Sequence, residues 1–519
     1  MKMYFPLAVL VVVNLIIGLL IVPGFGESMD ELSQHWYGER AINVAKWLFD
    51  TGTLPTDSIK EERPRQGSHG PAFMVIVVTL RGLLLPGGTA VEKVDFSHYL
   101  YFVMFQVGMV SLFYLARRWV SEAAAFGTVL LYCTQPLLVG HAFMNPKDVV
   151  FMSFLIISAV LGLRMLDHDE EASLVTGRPL SDAIRSFFKQ FLRGDVWLAG
   201  SLLGFSSAIR IAAPLIGVVV LAHILVTRKW QMLPRFFAYG LIALGFMFVF
   251  WPYLWADPIG RLVQSMSNSV RYPDLHLTLF RGALAEARNT PLSYLPVLLP
   301  VQLTETTLIL LLVGTVAVLK KFRLDLVALI LTWFVLPVTA IVGMRVNLYD
   351  NFRQVFFILP PLFLIAGFGL DWLLTLLRRP VIYYLLLLLI LLPGLYANIT
   401  LYPYQYIYYN QMVGGLRGAY RVFEMDYWHL AFREAQVYIN ENADLNANVF
   451  AGGTKQSAQR FARQDLVFNA FGGKRRDWKD YDYIIVSTAE NEDEEFVGYP
   501  TVFVVERLGV PLVYVKKPR

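Results

Sequence analysis

Eleven apolar stretches, most of them long enough to cross a bilayer, leave this chain few folds to choose from. They lie near residues 4–22, 98–116, 123–143, 149–166, 196–210, 212–227, 236–254, 301–319, 326–344, 354–372 and 381–398. In lipid every backbone N–H and C=O has to be satisfied inside the chain, so stretches like these form helices. Only 16 % of the residues are charged and mean hydropathy is +0.50, where soluble domains carry about a quarter charged residues. The expected fold is an all-α polytopic membrane domain of about eleven transmembrane helices over residues 1–400. A small extracytoplasmic α/β domain is expected over 401–519.

Short basic clusters between the stretches set the expected orientation. Arg117–Arg118, the segment from Arg164 to Arg193, Arg228–Lys229 with Arg235, Lys320–Lys321 with Arg323, and Arg378–Arg379 share one side, as does Lys2. That side is expected to be cytoplasmic, in a multi-pass plasma-membrane protein. Two choices make the parity work. Pro71 to Pro86, short and interrupted by Arg81, is read as an interfacial or re-entrant helix. Residues 196–226 are read as two short helices broken between Arg210 and Pro214. The first stretch, with a long apolar core and no clean cleavage site, is read as a retained helix rather than a signal peptide.

After Asn410 the membrane-length runs stop and mixed patterning begins. Residues 427–442 have helical spacing, while 448–451, 481–487, 501–506 and 513–516 read as strands. The acidic run Glu490 to Glu495 is the one candidate for disorder. The aromatic run YPYQYIYYN at 402–410 suits an interfacial belt better than a sugar platform. A net charge of +5, scattered in topological clusters, gives no footprint for nucleic acid. The single cysteine, Cys133, excludes an intramolecular disulfide framework.

The face opposite the basic clusters collects the candidate functional residues. Asp30 and Glu31 follow the first span directly, and carboxylates at the rim of a membrane cavity suit general-base or metal-binding chemistry. A solvated helix N-cap is the other role open to them. Asp148, in HAFMNPKD, is placed to cap the next helix and to act in a site, with Lys147 beside it pairing with a carboxylate or facing headgroups. Arg353 and Arg210 defy the positive-inside bias. Phosphate binding accounts for them, and a salt bridge from Arg353 to Asp350 or Glu31 is the alternative. His69, Glu305 inside an apolar span, and Arg345 complete the set.

Together these features resemble the GT-C membrane glycosyltransferases. The similarity is greatest to glycosyltransferase family 39, the protein O-mannosyltransferase-like group that includes bacterial lipid A aminoarabinose transferases. The resemblance covers about residues 1–400. It rests on the Asp30–Glu31 pair, on SHGPAF where the family has a His-Pro-Pro-like element, on Asp148, and on LGFSSAIRIAAP and DNFRQVFFILPP. The tail YPYQYIYYNQMVGGLRGAY followed by DYW resembles a bacterial subgroup with an added domain. Two departures stand out: Gly70-Pro71 replaces two prolines, and Met144-Asn145 stand where a basic residue often precedes the second acid.

The resemblance implies an inverting sugar transfer from a polyprenyl-phosphate donor to an acceptor (protein, lipid or glycan), among membrane lipids at the extracytoplasmic face. It makes Asp30 the base and gives the donor phosphate to Arg353 and Arg210. It requires no cofactor, although Asp148 with Glu31 could hold a divalent cation. A transporter or flippase for lipid-linked saccharides is the rival expectation.

Overall fold

The computed structural model describes residues 3–55, 69–167, 187–271, 276–377, 380–453, 455–468 and 478–518. Lys2, Ser68, the middle of the basic loop at 168–186 and Arg378–Arg379, all used in the sequence reading, lie outside the described residues.

Among the described residues, five helices are by themselves long and apolar enough to cross a membrane: Tyr4–Gly24, Ala90–Ala116, Trp230–Phe250, Leu324–Gly343 and Val381–Thr400. Shorter apolar helices occupy Ala72–Leu84, Leu215–Val226 and Pro360–Leu376. The helix Asp148–Arg164 is buried along most of its length and packs against Ala90–Ala116 and Gly194–Ser207. The split of 196–226 holds, since Gly194–Ser207 and Leu215–Val226 flank a turn at 208–214.

Two expected spans are broken. The stretch 123–143 is a pair of helices, Glu122–Thr134 and Pro136–Met144, bent by 62°. Pro136 lacks the N–H that a continuous helix needs. The stretch 301–319 begins instead as Tyr294–Val301, which turns through 109° into Glu305–Lys321. Glu305 therefore starts its helix rather than standing inside it. The Gln135 side chain joins the two breaks, donating to the Gln302 carbonyl at 2.9 Å and accepting from the Thr304 amide at 3.3 Å. Such pairing answers the backbone groups that a bend frees inside a membrane protein.

The basic corners do meet at one end of the bundle. Arg118 pairs with Asp167 at 2.6 Å, Lys229 donates to the Leu166 carbonyl, and Lys321 pairs with Asp371 at 3.1 Å. The opposite end carries the C-terminal region. Its five-stranded sheet has the order β4-β3-β5-β7-β6, with β3 Asn448–Ala451, β4 Val467–Phe468, β5 Tyr483–Ser487, β6 Thr501–Arg507 and β7 Val510–Lys516. β3 lies parallel to β4 and β5, and β7 is antiparallel to β5 and β6. The helix Phe432–Asn442 packs on this sheet. A hairpin of β1 Leu277–Phe280 and β2 Ala283–Glu286, not expected from sequence, bonds to residue 423 through Phe280.

The aromatic run at 402–410 is not an interfacial belt. Tyr404, Tyr406 and Tyr409 are buried. Tyr404 donates to Glu434, Tyr406 to Asp426, and Tyr409 to Asn351, so the run clamps the C-terminal region onto the helices. The acidic run at 490–495 is ordered as well, because Arg421 donates to Asn491 at 2.8 Å and pairs with the buried Asp493 at 2.7 Å. Arg460 closes the junction with two bonds to the buried Glu27, at 2.7 and 3.0 Å.

Candidate functional site

A charged network forms where the corners at 26–31, 145–148, 208–214 and 345–353 converge. Lys147 Nζ lies 3.0 Å from Asp30, and Arg353 lies 3.7 Å from the same carboxylate. Arg353 also pairs with Asp350 at 2.7 Å and Asp148 at 3.3 Å. Arg210 completes the chain on the other oxygen of Asp148. Three acids thus alternate with three cations. Arg353 is nearly buried, with its guanidinium 4.2 Å from the ring centre of Trp428, and such stacking suits a planar cation.

Asp148 does not cap its helix. Asn145 does so, accepting from the amides of Lys147 and Asp148 at 3.0 and 2.9 Å. A side-chain cap is worth roughly 1 kcal/mol, and here it leaves the Asp148 carboxylate to the arginines. The Asn145 amide steadies that carboxylate at 2.9 Å and reaches His141, whose Nε2 lies 3.0 Å from the Tyr427 hydroxyl. This relay runs from the second acid into the C-terminal region. Asp30 makes no cap bond either. Burial pushes its carboxyl up, but the Lys147 and Arg353 charges outweigh that and hold it well below the usual carboxylate range. Burial pushes His69 well down, and Lys147 and Arg210 push the same way, so its neutral ring donates from Nε2 to Gln34 at 3.0 Å.

The break at 208–214 is held by the loop that carries His69. The amides of Gly70 and Ala72 donate to the carbonyls of Ile209 and Ala208, each at 3.2 Å. A Cβ on Gly70 would lie 1.9 Å from the Ala208 oxygen. A proline at 70 would add that clash and lose the donor, which accounts for the first departure from the family pattern. Gly70→Ala is expected to cost roughly 1–3 kcal/mol and to misplace Arg210. A melting temperature equal to that of the natural protein would remove this role.

Two chambers of about 220 Å³ each meet at this network, sharing His69, Lys147, Tyr349 and Arg353. The first is lined by Arg210, Asn268, Ser269 and apolar side chains including Ile211, Ile341 and Phe357. Among the described residues it has three cations and no acid on its wall. The second is lined by Asp30, Gln34, His276 and Asp350, and by Tyr427, His429 and Glu490 of the C-terminal region.

Of the residues singled out in the sequence, Asp30, Asp148, Arg210, Arg353, Lys147 and His69 are brought together. Glu31 turns away, fully buried, to His98 at 2.9 Å and the Ser28 amide at 2.7 Å. Glu305 accepts from the Gln411 amide beside a different cavity. Arg345 is exposed on the rim of another. Asp148 and Glu31 therefore have separate partners, and among the described residues no group of three or more His, Cys, Asp or Glu is placed to hold a metal ion. Sequence reasoning missed His141, Asn145, Tyr427, His429 and Glu490. His141 and Asn145 stand four apart on one helix face just before Asp148, a spacing that signals a pair.

No protein-family model and no curated protein matches the chain. The crystal structure of ArnT from Cupriavidus metallidurans in the apo state superposes over 99 % of this chain and 98 % of its own, with TM-score 0.50 at 14 % identity. The GT-C fold expected from the sequence resemblance is the fold of this chain.

Proposed function

We propose that this protein is a membrane glycosyltransferase moving a sugar from a polyprenyl-phosphate donor to an acceptor hydroxyl, with inversion at the anomeric carbon. The division of charge across one shared wall carries the reading: a cation-lined chamber abuts one that holds Asp30. The donor phosphate belongs with Arg210, Arg353 and Lys147, and its tail with the bilayer. In this reading residues 1–400 carry the chemistry and residues 401–519 complete the site. The chambers face outward from the plasma membrane, and the basic corners face the cytoplasm.

The acceptor oxygen attacks the anomeric carbon as the bond from that carbon to the phosphate oxygen breaks. The hydroxyl proton passes to Asp30, and the phosphate leaves with the bonding electron pair. Arg210, Arg353 and Lys147 meet the charge that grows on it. Asp30 is a weak base while two cations hold it. A bound phosphate competes for Lys147 and Arg353, so donor binding raises the basicity of Asp30 when it is needed. A flippase, the rival reading, needs the cations but gives Asp30 no proton to take.

The test is turnover by purified protein in lipid, offered a panel of polyprenyl-phosphate sugars with and without chelator. Release of polyprenyl phosphate and a product of inverted anomeric configuration is expected. Protein that binds these donors and consumes none overturns the reading.

A further inference from the structure

The second chamber has a wall that the charged network does not need. Glu490 reaches it from the C-terminal region and has no hydrogen bond or ion pair among the described residues. Its backbone is left-handed, with φ +53°, and so is that of Asn491, at +60°. A non-glycine residue held in that region costs roughly 1–3 kcal/mol and persists only where its surroundings enforce it. They do so here. Arg421 grips Asn491 and Asp493, Ala489 donates to the Ser487 hydroxyl at 3.0 Å, and Thr488 donates to the Leu512 carbonyl at 2.9 Å.

His429 lies on the same wall. It is only 7 % exposed, its Nδ1 has no partner among the described residues, and its φ is +55°. Two residues with left-handed backbones thus line one cavity. Burial, with the Asp350 charge adding to it, pushes the Glu490 carboxyl up to about 7, so its charge is held at a cost.

We propose that Glu490 and His429 form the acceptor-reading wall of this chamber and bind an uncharged, hydroxyl-rich glycan. Asp30, Asp350 and Glu490 place three carboxylates on the chamber, and its two cations, Lys147 and Arg353, are already paired with Asp30 and Asp350. An anionic acceptor meets repulsion there, whereas sugar hydroxyls donate to carboxylate oxygens. Tyr427 and the stacked pair His276–Tyr349, 4.1 Å between ring centres, supply aromatic faces for the apolar side of a sugar ring.

The inference rests on the transferase reading, and equilibrium binding is chosen so that the two can fail separately. Full-length protein in lipid nanodiscs is titrated with the butyl glycosides of glucose, galactose and mannose, with butyl phosphate, and with N-acetylserinamide. At least one glycoside is expected to bind, and Glu490→Gln to weaken it about tenfold, the effect of losing a charged hydrogen bond. His429→Ala weakens it as well. Butyl phosphate, held in the first chamber, does not weaken in Glu490→Gln. Because Glu490 is half-buried and Gln removes a charge that has no ion pair among the described residues, that variant melts no lower than the natural protein. Glycosides that all bind independently of Glu490 overturn the proposal. So does a Glu490 dependence found only for butyl phosphate or for the serine probe, or a Glu490→Gln variant that melts clearly lower.

Discussion

Asp30→Asn is expected to lower turnover at least about a hundredfold without weakening donor binding. Asparagine keeps the size of the side chain and removes the basic oxygen. It also removes the anion that holds Lys147 at 3.0 Å, which frees that cation for the donor phosphate. The signature is therefore a fall in kcat with a donor KM that stays level or drops. Loss of a structural ion pair gives a different pattern, in which melting temperature falls and both constants worsen. Near-normal turnover in a well-folded variant would leave Asp30 as an ion-pair partner of Lys147 and nothing more.

Arg353 yields the second large effect, and its structural setting changes how that effect has to be measured. The alternative read from the sequence, a salt bridge to Asp350, is present at 2.7 Å, and the same guanidinium reaches Asp148 and Asp30. Arg353→Ala strands buried carboxylates, and breaking a buried pair from one side costs about 3–5 kcal/mol. The single alanine variant is expected to be unstable whatever the function. Arg353→Lys keeps the charge and loses the planar fork, so it should fold and turn over the donor at least about tenfold more slowly. In the double variant Arg353→Ala, Asp350→Ala, much of the stability should return and activity should not. Recovered activity would make the arginine a partner of Asp350 alone.

The long apolar runs made the helices legible, because length and composition are local properties. The corners that gather Asp30, Asp148, Arg210 and Arg353 followed from counting arginines and lysines, which is also a local signal. What escaped was decided by distant partners. The stretch 123–143 is continuous in composition, yet Gln135 within it marks a break matched to Gln302 and Thr304 on the far side of the sequence. The tyrosines at 402–410 have the composition of a membrane belt, yet their hydroxyls find Glu434, Asp426 and Asn351 and become core. Glu31 shares its dipeptide with Asp30 and faces the opposite way, because His98, 67 residues later, takes its carboxylate. Glu490 belonged to an acidic run that composition alone assigns to solvent, and only Arg421 and the sheet turn it inward.

The sheet order has a consequence for when the protein becomes able to act. β7 is the last strand in sequence but lies between β5 and β6, and its Leu512 carbonyl pins Thr488 at the root of the Glu490 loop. During synthesis the helices and their arginines enter the bilayer long before residue 516 leaves the ribosome. Until β7 inserts, β5 and β6 have no neighbour in common and the chamber lacks one wall. The order of synthesis therefore sets an order of assembly: the corners that carry Asp30, Arg210 and Arg353 are made first, and the wall that carries Glu490 is closed last.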